Sequence, residues 1–369
     1  MKKKISIDQK KRYFQKKYLI INKKKQNKEN SIGSIVRTFL ASLLMISFFS
    51  ISPILIEFKK NTSVTSSDYG NNSKNDLNKL LEKKDIESDN ILNNKFLFED
   101  IIMFDEKPSD SVRLSAATIE ELFRSTNYSL EDVRKTKLVK PISLTLLPSE
   151  IRKIENTKKR KDFFIQIILP LVIKENNNIR LDRKKLFKVL NKSRNSKVEK
   201  IWLNSKFKQY GVVNKDLLTL KIRMDEVPVS MAIAQAAKET GWGTSRFAQE
   251  GNALFGQWTW SGEGIKPSNA DTESTHKVMK FKILQASVRA YQRNLNTHSS
   301  YRSFRSARAE LRDQGQQLDS MILTEYLDKY AAIGKEYVRV LQQIIKQNNL
   351  TDFDDAKILP SSINLESLI

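Results

Sequence analysis

The alternation of hydrophobic and polar positions divides the chain into regions of different character. Residues 1–34 show no apolar periodicity beyond a short run at 18–21, which predicts a disordered head. Residues 38–56, TFLASLLMISFFSISPILI, are nineteen positions without a charge, close to the roughly 20 that cross a bilayer as a helix. Residues 57–110 are rich in Asn, Ser, Lys and Asp, with one apolar patch at 96–104, and predict a disordered tether. From residue 111 onward apolar positions recur three and four apart. That spacing predicts helices at 115–123, 146–156, 161–173 (broken or bent at Pro170), 181–190, 198–210 and 215–223. After a polar, turn-rich stretch at 261–274, residues 276–281 alternate as a strand does, so a small β-hairpin is expected there. Helical spacing resumes at 286–295, 304–314, 318–331 and 336–347, and the tail 351–369 carries no assignment. The fold class is therefore mainly α (α+β), a helical domain with a small β-hairpin, preceded by a single transmembrane helix.

Between these regions lies 227–260, VPVSMAIAQAAKETGWGTSRFAQEGNALFGQWTW. Pro228 suits a first helical turn, and Val229, Ile233, Ala236 and Ala237 share one face. Gly241 and Gly243 stop the helix, which leaves Glu239 in its last turn. There the negative end of the helix dipole disfavours a carboxylate and raises its pKa, and Trp242 would add to this by excluding water. A carboxylic acid held protonated near neutral pH can act as a general acid. The residues alone favour a solvated Glu at a helix end over an acid.

Charge changes the picture in one respect. The formal net charge is +23, and residues 1–34 hold twelve Lys or Arg against Asp8 and Glu29, a net of +10. A basic flank orients an apolar span with that flank in the cytoplasm, which predicts a basic cytoplasmic head (1–34), an uncleaved anchor (35–56) and an extracytoplasmic remainder. The head would meet anionic membrane lipid; no nucleic acid is expected as a partner. With no cysteine and two histidines, His276 and His298, neither a disulfide nor a His-based metal site is expected, and no cofactor.

The run AQAAKETGWGTSRFAQEGNALFGQW resembles the glucosaminidase domain of bacterial peptidoglycan hydrolases, and within it the Bax-like group. The runs at 147–153, 168–179 and 296–302 agree, and the resemblance spans about 111–350. It implies a lysozyme-like fold, with 111–220 packing on a glucosaminidase domain at 221–350, and cleavage of the β-1,4 bond after N-acetylglucosamine in peptidoglycan glycan strands. By the resemblance Glu239 matches the family's acid, and Tyr330 a groove tyrosine followed by Tyr337; the Pro that the family carries in that run is absent here. A second carboxylate would come from Glu263 or Glu273 on the hairpin, with Glu263 preferred for its flanking glycines, unless the 2-acetamido group of the substrate serves. Trp242, Phe255, Trp258, Trp260 and Tyr337 would line the sugar groove, and Asn252 and Gln257 would bond it. The alternatives are a lytic transglycosylase or muramidase of the same fold, or a wall-binding protein without activity.

Overall fold

The computed structural model describes Ile101 and residues 112–259, 264–266, 277–331 and 333–360. The chain divides into units 1–72 and 73–369, and every described residue belongs to the second. The expected head and anchor lie outside the described residues, as does the tether except for Ile101. That residue is buried against Phe281, Ala286 and Ala290. Among the described residues no helix is long and apolar enough to cross a membrane.

Helices α1 (Ala116–Ser125) and α2 (Leu130–Thr136) each start at a serine, Ser115 and Ser129, whose hydroxyl accepts a first-turn N–H. Strand β1 (Leu138–Val139) follows. The helix expected at 146–156 shrinks to a 3-10 turn at Ser149–Lys153. Next comes α3 (Thr157–Leu190), which runs unbroken through Pro170 and absorbs the separately expected helix at 181–190. The break expected at Pro170 is overruled by packing. Proline denies a partner to the carbonyl four residues earlier, and here the Tyr128 hydroxyl donates to that carbonyl, of Gln166, at 3.1 Å. Gln166 returns the bond through Nε2 to the Tyr128 carbonyl at 3.0 Å. Because residues 167–173 are all buried, the surroundings hold the helix together where local propensity would not.

Helices α4 (Lys197–Gln209) and α5 (Leu217–Arg223) form a side lobe with the end of α3 around Leu186, Phe207, Tyr210, Val212, Leu220 and Met224. Helix α6 (Val229–Thr240) follows, buried along almost its whole length. It packs against α3, against α11 (Lys335–Gln347) and against a 3-10 turn at Leu350–Phe353. Pro228 precedes α6 and offers it no side-chain cap. The cap comes from the tail: the Asp354 carboxylate accepts from the Ser230 N–H at 2.8 Å and from the Ser230 hydroxyl at 2.7 Å. An acid at a helix N-terminus is favourable there. Phe353 and Ala356 join the main core, and β5 (Lys357–Ile358) pairs in parallel with β1. The beginning of the tail is thus part of the fold.

After the short α7 (Arg246–Gly251) come β2 (Trp258–Thr259), β3 (Gly264–Ile265) and β4 (Lys277–Met279). They form an antiparallel sheet in the order β2-β4-β3, so the expected hairpin gains a third strand from Trp258 and Thr259. Helices α8 (Leu284–Thr297), α9 (Arg302–Asp313) and α10 (Ser320–Thr324) complete the body. The helix expected at 318–331 is interrupted: α10 passes into a 3-10 turn at Glu325–Leu327. One core joins residues from Ala116 to Ala356, so 111–220 and 221–350 share it.

Candidate active site

Helix α6 ends where the glycines require. Gly241, Trp242 and Gly243 have φ of 56°, 61° and 83°, three consecutive left-handed residues that turn the chain back on itself. A Cβ at Gly243 would lie 3.0 Å from side-chain atoms of both Ile151 and Phe164, so a larger residue would have to push them aside, at a φ of 83° that L side chains rarely adopt. Trp242, a non-glycine residue in this region of conformational space, sets its ring edge-on to Phe164 at 6.0 Å with the Lys161 ammonium 5.0 Å from its centre. The loop beyond is tied to the N-terminal half of the domain. Gln249 donates to the Gly243 carbonyl at 2.8 Å, Arg113 to the Gln249 carbonyl at 2.9 Å, and Arg152 to the Thr244 carbonyl at 2.9 Å. The region 111–153 therefore fixes the chain that leaves the Glu239 helix.

Glu239 is half-buried in the last turn of α6. Tyr337, on α11, donates its hydroxyl to Glu239 Oε1 at 2.9 Å. The Tyr337 oxygen accepts from Gln235 Nε2 at 3.1 Å, and Gln235 Oε1 accepts from the Tyr291 hydroxyl at 2.6 Å. A chain of donors thus runs Tyr291, Gln235, Tyr337 and ends on the carboxylate. On the other side, Gly256 (φ 60°) lies so close that a Cβ there would stand 3.1 Å from Glu239 Oε2. Gly256 is held in place by its neighbour. The Phe255 ring stacks on Tyr291 at 3.8 Å and 7°, and the Phe255 carbonyl accepts from the Tyr330 hydroxyl at 2.8 Å. Tyr330 in turn stacks on Tyr337 at 5.5 Å and lies 5.9 Å from the Tyr301 ring.

The electrostatics follow from burial. Loss of water raises the Glu239 carboxyl above its ordinary value, against the Tyr337 hydrogen bond and the Lys238 charge, which act the other way. Burial also pushes the Tyr301 phenol to about 12, with a further push from Glu239. Tyr330 and Tyr337 rise well above the usual phenol range, first by burial and then through neighbouring charges that include Glu239. The tyrosines accordingly stay neutral donors around Glu239, whose carboxyl burial holds above the ordinary range.

The structure brings Glu239, Tyr330 and Tyr337 together. Trp258 is 47% exposed on β2. Three residues expected to contact sugar are buried. The Phe255 ring is 1% exposed and spends both faces inside the core, so it offers none to a sugar. Asn252 is buried at the left-handed end of α7, where Nδ2 donates to the carbonyls of Phe281 and Lys282 at 2.9 and 3.2 Å; its amide joins backbone segments. Tyr337 is 1% exposed and serves Glu239 directly. Gln257 is half-buried and donates to the Ala290 carbonyl at 3.2 Å. Trp260, Glu263 and Glu273 lie outside the described residues. Sequence reading missed Gln235, Gly256, Tyr291 and Tyr301. Gln235 had a signal, since it stands four residues before Glu239 on the same helical face; Tyr291 had none, being an apolar-face residue of α8 like any other.

A mainly helical body with a small sheet thus holds one half-buried carboxyl, Glu239, against buried phenols. Residues 218–350 match the glucosaminidase family, described as mannosyl-glycoprotein endo-beta-N-acetylglucosaminidase. Over 205 residues the chain is 32% identical to protein bax of Escherichia coli (strain K12), a match covering 54% of this chain and 73% of that protein. The chain belongs to this Bax-like glucosaminidase family. The catalytic domain of the autolysin Auto from Listeria monocytogenes aligns with 47% of this chain and 97% of its own at 20% identity, with a TM-score of 0.27, an overlap too low to compare folds.

Proposed function

We propose that the protein is a peptidoglycan hydrolase that cleaves the β-1,4 bond following N-acetylglucosamine, with Glu239 as general acid. The observation that carries this is the Glu239 carboxyl itself, raised by burial, held at Oε1 by Tyr337 and closely approached by Gly256. In the reaction the Glu239 carboxylic acid gives its proton to the glycosidic oxygen as the bond from that oxygen to the anomeric carbon breaks; water puts its hydroxyl on the anomeric carbon, and its remaining proton goes to a carboxylate, the separate base on an inverting path or Glu239 itself on a retaining one. Trp258, 47% exposed on β2, would stack on a sugar ring. Glu263, Glu273 or the 2-acetamido group of the substrate supplies the second function. Product stereochemistry separates a carboxylate base, which gives inversion, from a carboxylate nucleophile or the acetamido group, either of which gives retention. The domain acts outside the cytoplasm, tethered by the span at 35–56.

The test is mass spectrometry of purified peptidoglycan digested by the full chain. Reducing-end N-acetylglucosamine supports the proposal. Ends of 1,6-anhydromuramic acid would make the protein a lytic transglycosylase, reducing-end N-acetylmuramic acid a muramidase, and sedimentation with the wall without soluble products a binding protein.

A further inference from the structure

Beyond the basic head, the positive charge of this chain is concentrated away from Glu239. Residues 181–221 contain twelve Lys or Arg against Asp182, Glu199 and Asp216, a net of +9 in one stretch. These residues build the side lobe of α4, α5 and the end of α3. Lys184, Lys185, Lys188, Arg194, Lys197, Lys200, Lys208 and Lys215 are all exposed. The same stretch exposes aliphatic and aromatic side chains: Leu181, Phe187, Val198, Ile201, Val213, Leu217 and Leu218. Val198 is 72% exposed and Ile201 59%. Single exposed apolar residues need no explanation, whereas this clustering does.

The arrangement on α4 is ordered. Phe207 faces the lobe's small core, flanked by the partly buried Trp202 and Leu203. On the opposite, exposed face, helical spacing groups Val198 and Ile201 with Lys197 and Lys208. The core of the lobe is already complete without them, so these aliphatics are surplus to folding.

We propose that this lobe rests on an anionic lipid surface, its cations meeting headgroup phosphates and Val198 and Ile201 entering the headgroup boundary. Charge complementarity selects an anionic partner, at roughly 1 kcal/mol per Lys or Arg near an anionic bilayer. The exposed aliphatics select lipid over other polyanions, because a polyanionic polymer gains nothing from Val and Ile, whereas an interfacial helix is held by them. Single-stranded nucleic acid would want exposed aromatic rings for stacking; of the lobe's rings, Trp202 is half-buried under Lys185 at 4.6 Å and Phe187, 38% exposed, has the Arg183 guanidinium 5.2 Å from its centre.

The test uses the full chain, which has no cysteine of its own, so one introduced thiol reports locally. Asn204→Cys, exposed on the outward face of α4, carries an environment-sensitive dye. Vesicles of phosphatidylglycerol and phosphatidylcholine in equal parts should shift the dye to the blue and allow quenching by a lipid-borne nitroxide; phosphatidylcholine alone should do neither. Lys197→Glu/Lys208→Glu should weaken this local signal at least roughly tenfold, and Val198→Ser/Ile201→Ser should abolish the blue shift, both with an unchanged melting temperature. The proposal is overturned if the dye stays in water while the chain sits on anionic vesicles. It is equally overturned if soluble polyphosphate or single-stranded DNA gives the full signal and Val198→Ser/Ile201→Ser leaves it intact.

Discussion

Tyr337→Phe isolates the hydrogen bond that the site sets against the burial of Glu239. The substitution deletes one oxygen and keeps the ring, so the stack on Tyr330 at 5.5 Å survives. What disappears is the donor to Glu239 Oε1 at 2.9 Å and the acceptor for Gln235 Nε2 at 3.1 Å. A hydrogen bond to a charged group is worth about 1.5–3 kcal/mol, and this one favours the ionised carboxylate. Burial, which favours the acid, is untouched. The acid dissociation constant of Glu239 should therefore fall roughly tenfold. If Glu239 works as the acid, the alkaline limb of kcat/KM against pH must move to higher pH, since that limb reports loss of the proton from the free enzyme. The stranded, buried Gln235 amide should cost about 1–3 kcal/mol of stability. The assay is initial rates on soluble glycan fragments across pH, beside thermal melts. An alkaline limb that stays in place, or moves to lower pH, refutes the reasoning even if activity drops.

Other substitutions probe the surroundings. Gly256→Ala puts a methyl 3.1 Å from Glu239 Oε2 at a φ of 60°, and should lower kcat more than tenfold while costing only about 1 kcal/mol in denaturant melts. Gln235→Leu removes the link between Tyr291 and Tyr337 and should destabilise the fold by roughly 2–4 kcal/mol, read as a lower denaturation midpoint. Asp354 has its carboxyl raised to about 6 by burial, against the Ser230 bonds, so its sign is opposite to that of a salt-bridged acid. Its contribution is complete below the unfolded value near 4 and is lost as pH rises through about 6. Asp354→Asn should therefore flatten the fall in stability between those values, which amounts to at most roughly 3 kcal/mol.

Much of this was legible in the chain. The apolar spacing located most helices from α1 to α11, and the Gly-Trp-Gly run located the end of α6 and hence Glu239. The failures share a cause: periodicity reports which face of an element is apolar but not what lies across from it. Pro170 read as a break because the sequence does not reveal that Tyr128 will satisfy the Gln166 carbonyl. Phe255 read as a sugar platform because an aromatic in a loop looks alike whether its partner is a ligand or Tyr291. Asn252 read as a substrate amide for the same reason, and Asp354 was invisible as a cap because 124 residues separate it from Ser230. Gln235, one turn before Glu239, was open to inference and passed over.

The central claim is that Glu239 delivers the proton. Glu239→Gln keeps the shape and an oxygen to accept from Tyr337 but has no acidic proton, so the melting temperature should hold while release of fragments from purified peptidoglycan falls at least roughly 100-fold. Release at close to the wild-type rate by a folded Glu239→Gln protein would contradict the account.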